Sequence, residues 1–381
     1  MTAKPVAVAQ PAARPSVALV LQGGGALGAY HIGAYQALAE AGMHPDWVSG
    51  ISIGSINAAV IAGNAPEQRV TKLDALWQAI SWPEFAPPIA FEPFQTLHNW
   101  ASNAEALLLG QPNFFAPRPI NPLLVAKAAP GEVSFYDTTK LRFTLRQFAD
   151  FERINRGETR LSLGATRIDT GDLVFFDNFS GRHGDIGPEH VAASGSLPPG
   201  FPATKVGEHW YWDGGCVSNT PLDAITERPE HPHLLVVMID LWPAGGKVPE
   251  SMSEAFWRTK QIQYASRTDV HLSAFADRCN LRHAMRLLQT RGGPDAVPEA
   301  PRPAGQRLDI LHVVYHPAAD QIPNSDAEFS RSSIAERRAA GHADMTAALR
   351  GKPWERAMPP HTAAMVHRHD GGSPATLSHA A

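Results

Sequence analysis

Apolar positions along the chain alternate between short unbroken runs and longer stretches with helical spacing. Val17-Ala18-Leu19-Val20-Leu21 is apolar at every position, as expected for a strand buried on both faces of a parallel sheet. It leads into Gly23-Gly24-Gly25. Beyond these, Leu27, Ile32, Tyr35, Leu38 and interspersed alanines predict a helix ending near Gly42. Trp47-Val48-Ser49 opens a second strand, and residues 54–62 read as a second helix packed through small side chains. A strand–helix–strand–helix beginning predicts an α/β sheet.

Further along, residues 161–165 and 173–176 flank Thr170-Gly171-Asp172, a hairpin signature. Residues 234–241 form another apolar run, 251–288 turn helical, 308–315 give a last strand and 330–349 a last helix. Residues 292–305 are rich in Pro, Gly and Ala and read as a linker. Two ends lack periodicity: 1–15 reads as a disordered leader and 351–381 as a disordered tail. Residues 81–122 are different again. They carry Trp82, Phe85, Phe91, Phe94, Trp100, Phe114 and Phe115 among eight prolines, which predicts loops and short helices bearing apolar side chains. Two roles fit such an insertion: packing on the core, or forming a lid or acyl-pocket wall.

Composition narrows the class without naming a function. Hydrophobic residues at 44% and charged residues at 18% suit a globular chain with a sizeable core. The net charge of −4 and the absence of a Lys/Arg run exclude a nucleic-acid footprint and leave no polybasic patch for anionic lipid. Two cysteines, Cys216 and Cys279, cannot build a disulfide framework, so a reducing, cytoplasmic setting is the simpler expectation. The first apolar run is far shorter than a membrane span or signal-peptide core.

The glycines carry the chemistry. Gly50-Ile51-Ser52-Ile53-Gly54 is a G-x-S-x-G at a strand-to-helix junction. Glycines two before and two after allow a sharp turn that lifts the serine hydroxyl above the sheet edge, at a helix N-terminus. Gly23-Gly24-Gly25-Ala26-Leu27-Gly28 fits a dinucleotide fingerprint in form, but the acidic residue required after the next strand is missing. The alternative is an oxyanion hole: adjacent parallel strands would set the Gly23–Gly25 amides beside Ser52. Ser52 follows the first two strands, only 27 positions after Gly25, which disfavours an ordinary α/β-hydrolase. Trp212-Asp213-Gly214-Gly215 then places a carboxylate in a turn open to close approach, so Asp213 is a candidate base.

With these blocks in hand, the chain resembles the patatin-like acyl hydrolases. The matching residues are Gly23-Gly24-Gly25-Ala26-Leu27-Gly28, Gly50-Ile51-Ser52-Ile53-Gly54 and Asp213-Gly214-Gly215. Ala193-Ser194-Gly195-Ser196-Leu197-Pro198 looks like the family's segment before the Asp loop, and Asn219-Thr220-Pro221-Leu222 like the stretch after it. The resemblance implies a three-layer α/β/α fold with a mostly parallel central sheet over residues 16–245. A mainly helical extension at 246–350 would pack on that core, as in one bacterial subgroup. It also implies a Ser52–Asp213 dyad, with the Gly24, Gly25, Ala26 and Ile53 N–H groups binding the oxyanion. No metal and no cofactor are required.

The function expected is a serine esterase or lipid acyl hydrolase acting through an acyl-enzyme. Hydroxyalkanoate esters or oligomers are an alternative substrate for the same dyad. A non-catalytic lipid- or acyl-binding module is the alternative of another class, disfavoured by intact Ser52 and Asp213. The expected partner is the ester or lipid substrate, with transient contact at a membrane or lipid surface through the aromatic insertion; oligomeric state is not readable. A triad would need a histidine after Asp213, and His231, His233, His271, His283, His312 and His316 all lie outside motifs. His361, His367, His369 and His379 fall in the expected tail, and Cys216 reads as a buried small hydrophobe.

Overall fold

The computed structural model describes residues 15–83, 92–179, 181, 184–226, 232–292, 307–317, 322–359, 361–370 and 373–375. The expected leader lies outside these, apart from Pro15, as does the linker from residue 293 onward.

Ten strands form one sheet. In chain order they are β1 (Ser16–Leu21), β2 (Trp47–Ile51), β3 (Arg160–Arg167), β4 (Leu173–Asp177), β5 (Thr204–Val206), β6 (His209–Asp213), β7 (His233–Asp240), β8 (Arg307–Val314), β9 (Ala364–Asp370) and β10 (Ser373–Ala375). Their spatial order is β10-β9-β8-β7-β1-β2-β3-β6-β5, with β4 also paired to β3. The six-strand middle, β9 to β3, is parallel throughout; β10, β4, β6 and β5 join antiparallel. β3 and β4 form the expected hairpin around Thr170-Gly171-Asp172.

Alternation along the central strands builds two cores. Val17, Leu19 and Leu21 of β1 join Leu235, Val237 and Ile239 of β7 on one face. Ala18 and Val20 join Leu234, Val236 and Met238 on the other. Successive side chains of a strand point to opposite faces, so an unbroken apolar run supplies both. The first face is covered by α1 (Tyr30–Glu40), α2 (Ile53–Ala62), α3 (Arg69–Ala79) and, after α4 (Glu92–Leu109), by α5 (Thr139–Phe148). Helix α6 (Pro188–Ser194) adds Val191 and Ala193 to the first core. The long α7 (Met252–Gly292) covers the second face with Leu272, Phe275 and Ala276, and α8 (Arg331–Leu349) returns to the first with Met345. The fold is therefore α/β/α with a mostly parallel sheet.

Helix α8 packs directly on α1 through backbone. A Cβ on Gly33 would collide with the Arg338 carbonyl oxygen, and one on Gly341 with the Tyr30 carbonyl oxygen. The Tyr30 hydroxyl donates to Asp344 at 2.8 Å, and Arg338 pairs with Asp74 at 3.0 Å. Residues beyond 245 thus complete the central sheet and contribute a helix to each of its faces.

Three expectations are corrected. Residues 364–370, read as loose tail, form β9 in parallel register with β8, from Leu308↔Ala364 to Val313↔His369. Buried His367 and His369 occupy positions where apolar residues would have signalled a strand, and His367 Nε2 binds Asp309 at 2.7 Å. His379 lies outside the described residues. Within 81–122, where short helices were expected, α4 runs for 18 residues. Its one proline, Pro93, is the second helical residue, where a missing N–H costs nothing. Phe85 and Phe91 lie outside the described residues. Finally, Cys216 is exposed, not a buried hydrophobe.

Candidate active site

Sheet register brings the two motif blocks together. Parallel β2 pairs with β3 up to Ile51↔Gly164, while antiparallel β6 pairs with β3 at Asp213↔Ala165. The two strand ends therefore meet at adjacent positions of β3, placing Ser52, which follows Ile51, beside Asp213. Gly214 closes the junction: a Cβ there would lie 2.7 Å from the Gly164 carbonyl oxygen and 3.2 Å from Ile51 Cδ1.

Ser52 sits at the tip of a strained elbow, with φ 56° and ψ −125°, immediately before α2. Such a conformation in a non-glycine residue costs of order 1–3 kcal/mol and persists only where surroundings enforce it. The surroundings are explicit. Ser52 N–H donates to both the carbonyl and the hydroxyl of Ser194 at 3.1 Å, and the Ser194 hydroxyl donates to the Gly164 carbonyl at 2.6 Å. Gly50 and Gly54 touch each other's backbone or that of Leu21 so closely that a Cβ at either would collide. Gly28 serves packing instead, since a Cβ there would meet Ile53 at 2.7 Å.

Asp213 is 1% exposed. Its N–H donates to the Ser196 carbonyl at 2.9 Å, and its Oδ1 accepts from Gly215 N–H at 2.7 Å. The segment 194–196 thus anchors both halves of the pair. Burial raises the Asp213 carboxyl to about 7, opposed by the Ser52 hydroxyl and the Gly215 amide. The serine is close enough to act on the carboxyl, yet no hydrogen bond within 3.5 Å satisfies Oδ2. An acceptor with a spare lone pair stands next to a hydroxyl, as a base requires, and such contacts commonly tighten only when substrate is bound.

The glycine loop faces the same point. The Gly23 carbonyl accepts from Asn219 Nδ2 at 2.8 Å and from Trp242 Nε1 at 2.7 Å. The Leu27 N–H donates to the Gly24 carbonyl at 3.1 Å. A Cβ on Gly23 would come 3.0 Å from Ser52 Cβ, so loop and elbow are in contact. Among the described residues, the N–H groups of Gly24, Gly25 and Ala26 have no acceptor in the protein. Ile53 is the first residue of α2, where an N–H lacks an intrahelical partner. Gly23 is the exception among the expected oxyanion donors. Its N–H is committed to the Asn219 carbonyl at 3.3 Å, which removes it from the set.

Among the described residues several candidate histidines are engaged elsewhere, and His271 lines a cavity beside the Asp loop. His233 and His367 bind Asp309, His312 binds Asp240 at 2.8 Å, and His316 lies on the surface; His231 lies outside the described residues. His31, between α1 and α2, is pushed down to about 3 by complete burial and stays neutral. Among the described residues no three His, Cys, Asp or Glu side chains gather as a metal site. A cavity of about 500 Å³ opens beside the Asp loop, lined by Gly215, Cys216, Asn219, Tyr264 and Thr268 among others.

A family model described as patatin-like phospholipase matches residues 19–226, more than half of the chain. The chain belongs to the patatin-like phospholipase family. A second model of that family, described as patatin phospholipase, matches residues 262–361, the segment that supplies α8 and most of α7. Over 62 residues the chain is 44% identical to neuropathy target esterase sws of Drosophila melanogaster. Over the same length it is 45% identical to human patatin-like phospholipase domain-containing protein 6. Each match covers 16% of this chain and 4% of the relative, so the chain spans a small fraction of those proteins. Among solved structures, human GIVD cytosolic phospholipase A2 aligns with a TM-score of 0.38 and 12% identity, over 90% of this chain and 59% of that one.

The patatin-like sequence blocks correspond to the parts that meet here. Four contributors carried no assigned role in the sequence: Ser194 and Asn219, inside quoted blocks, and Trp242 and Arg337, outside any motif. Arg337 donates to the Ala26 carbonyl at 3.1 Å from a distance of 311 positions along the chain.

Proposed function

We propose that this chain hydrolyses carboxylic esters of lipids through a Ser52–Asp213 dyad and an acyl-enzyme. One observation carries the reading: a strained serine and a buried, half-satisfied carboxylate with a raised pKa stand at the ends of β2 and β6, on either side of β3. The Ser52 hydroxyl passes its proton to Asp213 Oδ2 as its oxygen bonds to the acyl carbon. The carbonyl oxygen takes the negative charge, held by the N–H groups of Gly24, Gly25, Ala26 and Ile53 at the positive end of α2. Collapse of this intermediate expels the alcohol, which takes the proton from Asp213. Water then attacks the acyl-enzyme, Asp213 accepts its proton, and the acid leaves as Ser52 regains its hydrogen. Purified protein should turn over p-nitrophenyl esters, and Ser52→Ala should abolish this. A wild-type chain that neither turns over esters nor is labelled at Ser52 by a fluorophosphonate would favour an acyl-binding module.

The insertion supports a lipid substrate. Phe114 and Phe115 are buried in the core, packed edge-on or tilted against Tyr136, Phe201 and Phe329. By contrast Leu108, Leu109, Ile120, Leu123 and Leu124 are exposed. Among the described residues no helix is long and apolar enough to cross a membrane. A protein of net charge −4 would reach a lipid surface through this apolar rim. Leu123→Asp with Leu124→Asp should lower co-sedimentation with phosphatidylcholine vesicles while leaving turnover of a soluble short-chain ester intact. Unchanged co-sedimentation would rule this rim out. A chain-length series of acyl and hydroxyacyl esters would separate lipid from hydroxyalkanoate substrates.

A further inference from the structure

Behind the glycine loop lies a buried cation that no motif includes. Arg337, on α8, is 4% exposed, and every acceptor it meets is buried or backbone. Nη1 donates to the carbonyls of Ala26 at 3.1 Å and Glu328 at 2.8 Å. Nη2 donates to the Ser325 carbonyl at 3.0 Å and to Glu328 Oε2 at 3.3 Å. Glu328 is itself 1% exposed, and its Oε1 accepts from Ser330 N–H at 2.8 Å. The same segment presses on the loop, because a Cβ on Gly25 (φ +54°) would strike the Asp326 carbonyl oxygen.

Peptide planarity converts this grip into orientation. The Ala26 carbonyl and the Leu27 N–H belong to one rigid trans unit and point opposite ways. Leu27 N–H in turn holds the Gly24 carbonyl, whose own peptide unit carries the Gly25 N–H on its other side. The Gly23 carbonyl, held by Asn219 and Trp242, fixes the Gly24 N–H in the same manner.

We propose that Arg337 is a positioning residue for the oxyanion loop, setting the direction of the Gly25 N–H through Ala26 and the Leu27–Gly24 hydrogen bond, with Glu328 as its counter-ion. The C-terminal helix is then part of the catalytic apparatus, although it touches no reacting atom. This rests on the hydrolase reading for its kinetic consequence, not for its structural one. In Arg337→Lys and Arg337→Gly, kcat on a p-nitrophenyl ester should fall by about 10- to 100-fold, as expected when one oxyanion donor is misdirected, with KM within about twofold. Added guanidinium ion should restore part of kcat in Arg337→Gly. Arg338→Ala, one residue along the same helix, should keep the parent kcat. Amide exchange at Leu27 should quicken in Arg337→Lys whether or not the protein turns over esters, so an inert wild type would defeat only the hydrolase reading. Folded Arg337→Lys with parental kcat and parental Leu27 exchange would overturn the proposal. If Arg337→Gly fails to fold, Arg337→Lys and Glu328→Gln decide it by the same two readouts.

Discussion

Two buried aspartates in one sheet are treated in opposite ways. Asp309, on β8, is fully buried and surrounded by donors: His233 Nε2 at 2.9 Å, His367 Nε2 at 2.7 Å and Arg307 Nε at 2.6 Å. Burial alone would raise its pKa; the two histidines and Arg307 outweigh that and hold it well below the usual carboxylate range. Asp213 is just as buried but receives one amide and the influence of one hydroxyl, and its carboxyl rises to about 7. The first arrangement ties three strands together at the sheet's quiet end. The second leaves a carboxylate able to exchange a proton near neutral pH, at the end where strands stop and backbone N–H groups lack partners. Complete satisfaction builds structure, and deliberate incompleteness leaves capacity for chemistry.

The comparison breaks most sharply at the base. Asp213→Asn should lower ester turnover by about 10⁴-fold or more, measured in steady state, since 10⁴ is the scale seen when an aspartate that only supports a catalytic base is replaced by its amide. The same variant should be more stable at alkaline pH. A carboxyl raised from 3.8 to about 7 favours the folded state less as pH climbs through that window, by roughly 4 kcal/mol once fully ionised. Urea midpoints for Asn and parent should therefore converge near pH 4 and diverge by pH 8.5. A parent that matches Asp213→Asn at pH 8.5 would mean that water reaches the carboxylate.

Asp309→Ala should move the other way. It strands Arg307 and the two histidines, and about 3–5 kcal/mol of stability should be lost in urea titrations, while kcat of the folded fraction is unchanged. The depressed Asp309 pKa means this stability is fully present above the ordinary carboxylate range and is lost progressively as pH falls from there through the folded value.

Smaller still is the effect of pH on rate. kcat/KM should fall tenfold per unit below about pH 7, where Asp213 takes up its proton, and level off above it. A profile flat to pH 5 would sink Asp213 as the base. At the helix crossing, Gly341→Ala should cost about 1–3 kcal/mol by forcing α8 away from α1, read as a lower thermal midpoint.

Much of the site was legible because it is local. The run 17–21, the glycine loop and the G-x-S-x-G elbow lie within 40 positions, and Gly25, Gly50 and Gly54 mark places where a Cβ would meet backbone, while Gly24 and Gly28 mark close side-chain packing. Asp213 was readable for the same reason, through the two glycines after it. The chain's closing elements were not. Strand β9 hides because His367 and His369 stand at buried positions, and the partner of His367, Asp309, lies 58 positions away. Arg337 hides because an arginine on a helix usually faces water, and only the fold reveals carbonyls around it. The commitment of Gly23 N–H to Asn219 was likewise invisible, since the two are 196 positions apart.

The span between Ala26 and Arg337 also sets an order in time. During synthesis the elbow and the Asp loop leave the ribosome long before α8, and β1 lacks its neighbour β7 until residue 240 has emerged. A nascent chain stalled at residue 300 would carry Ser52 and Asp213 yet lack the arginine that steadies the loop between them. On the hydrolase reading, its ester turnover should reach the full rate only after residues 331–349 have emerged and α8 has docked.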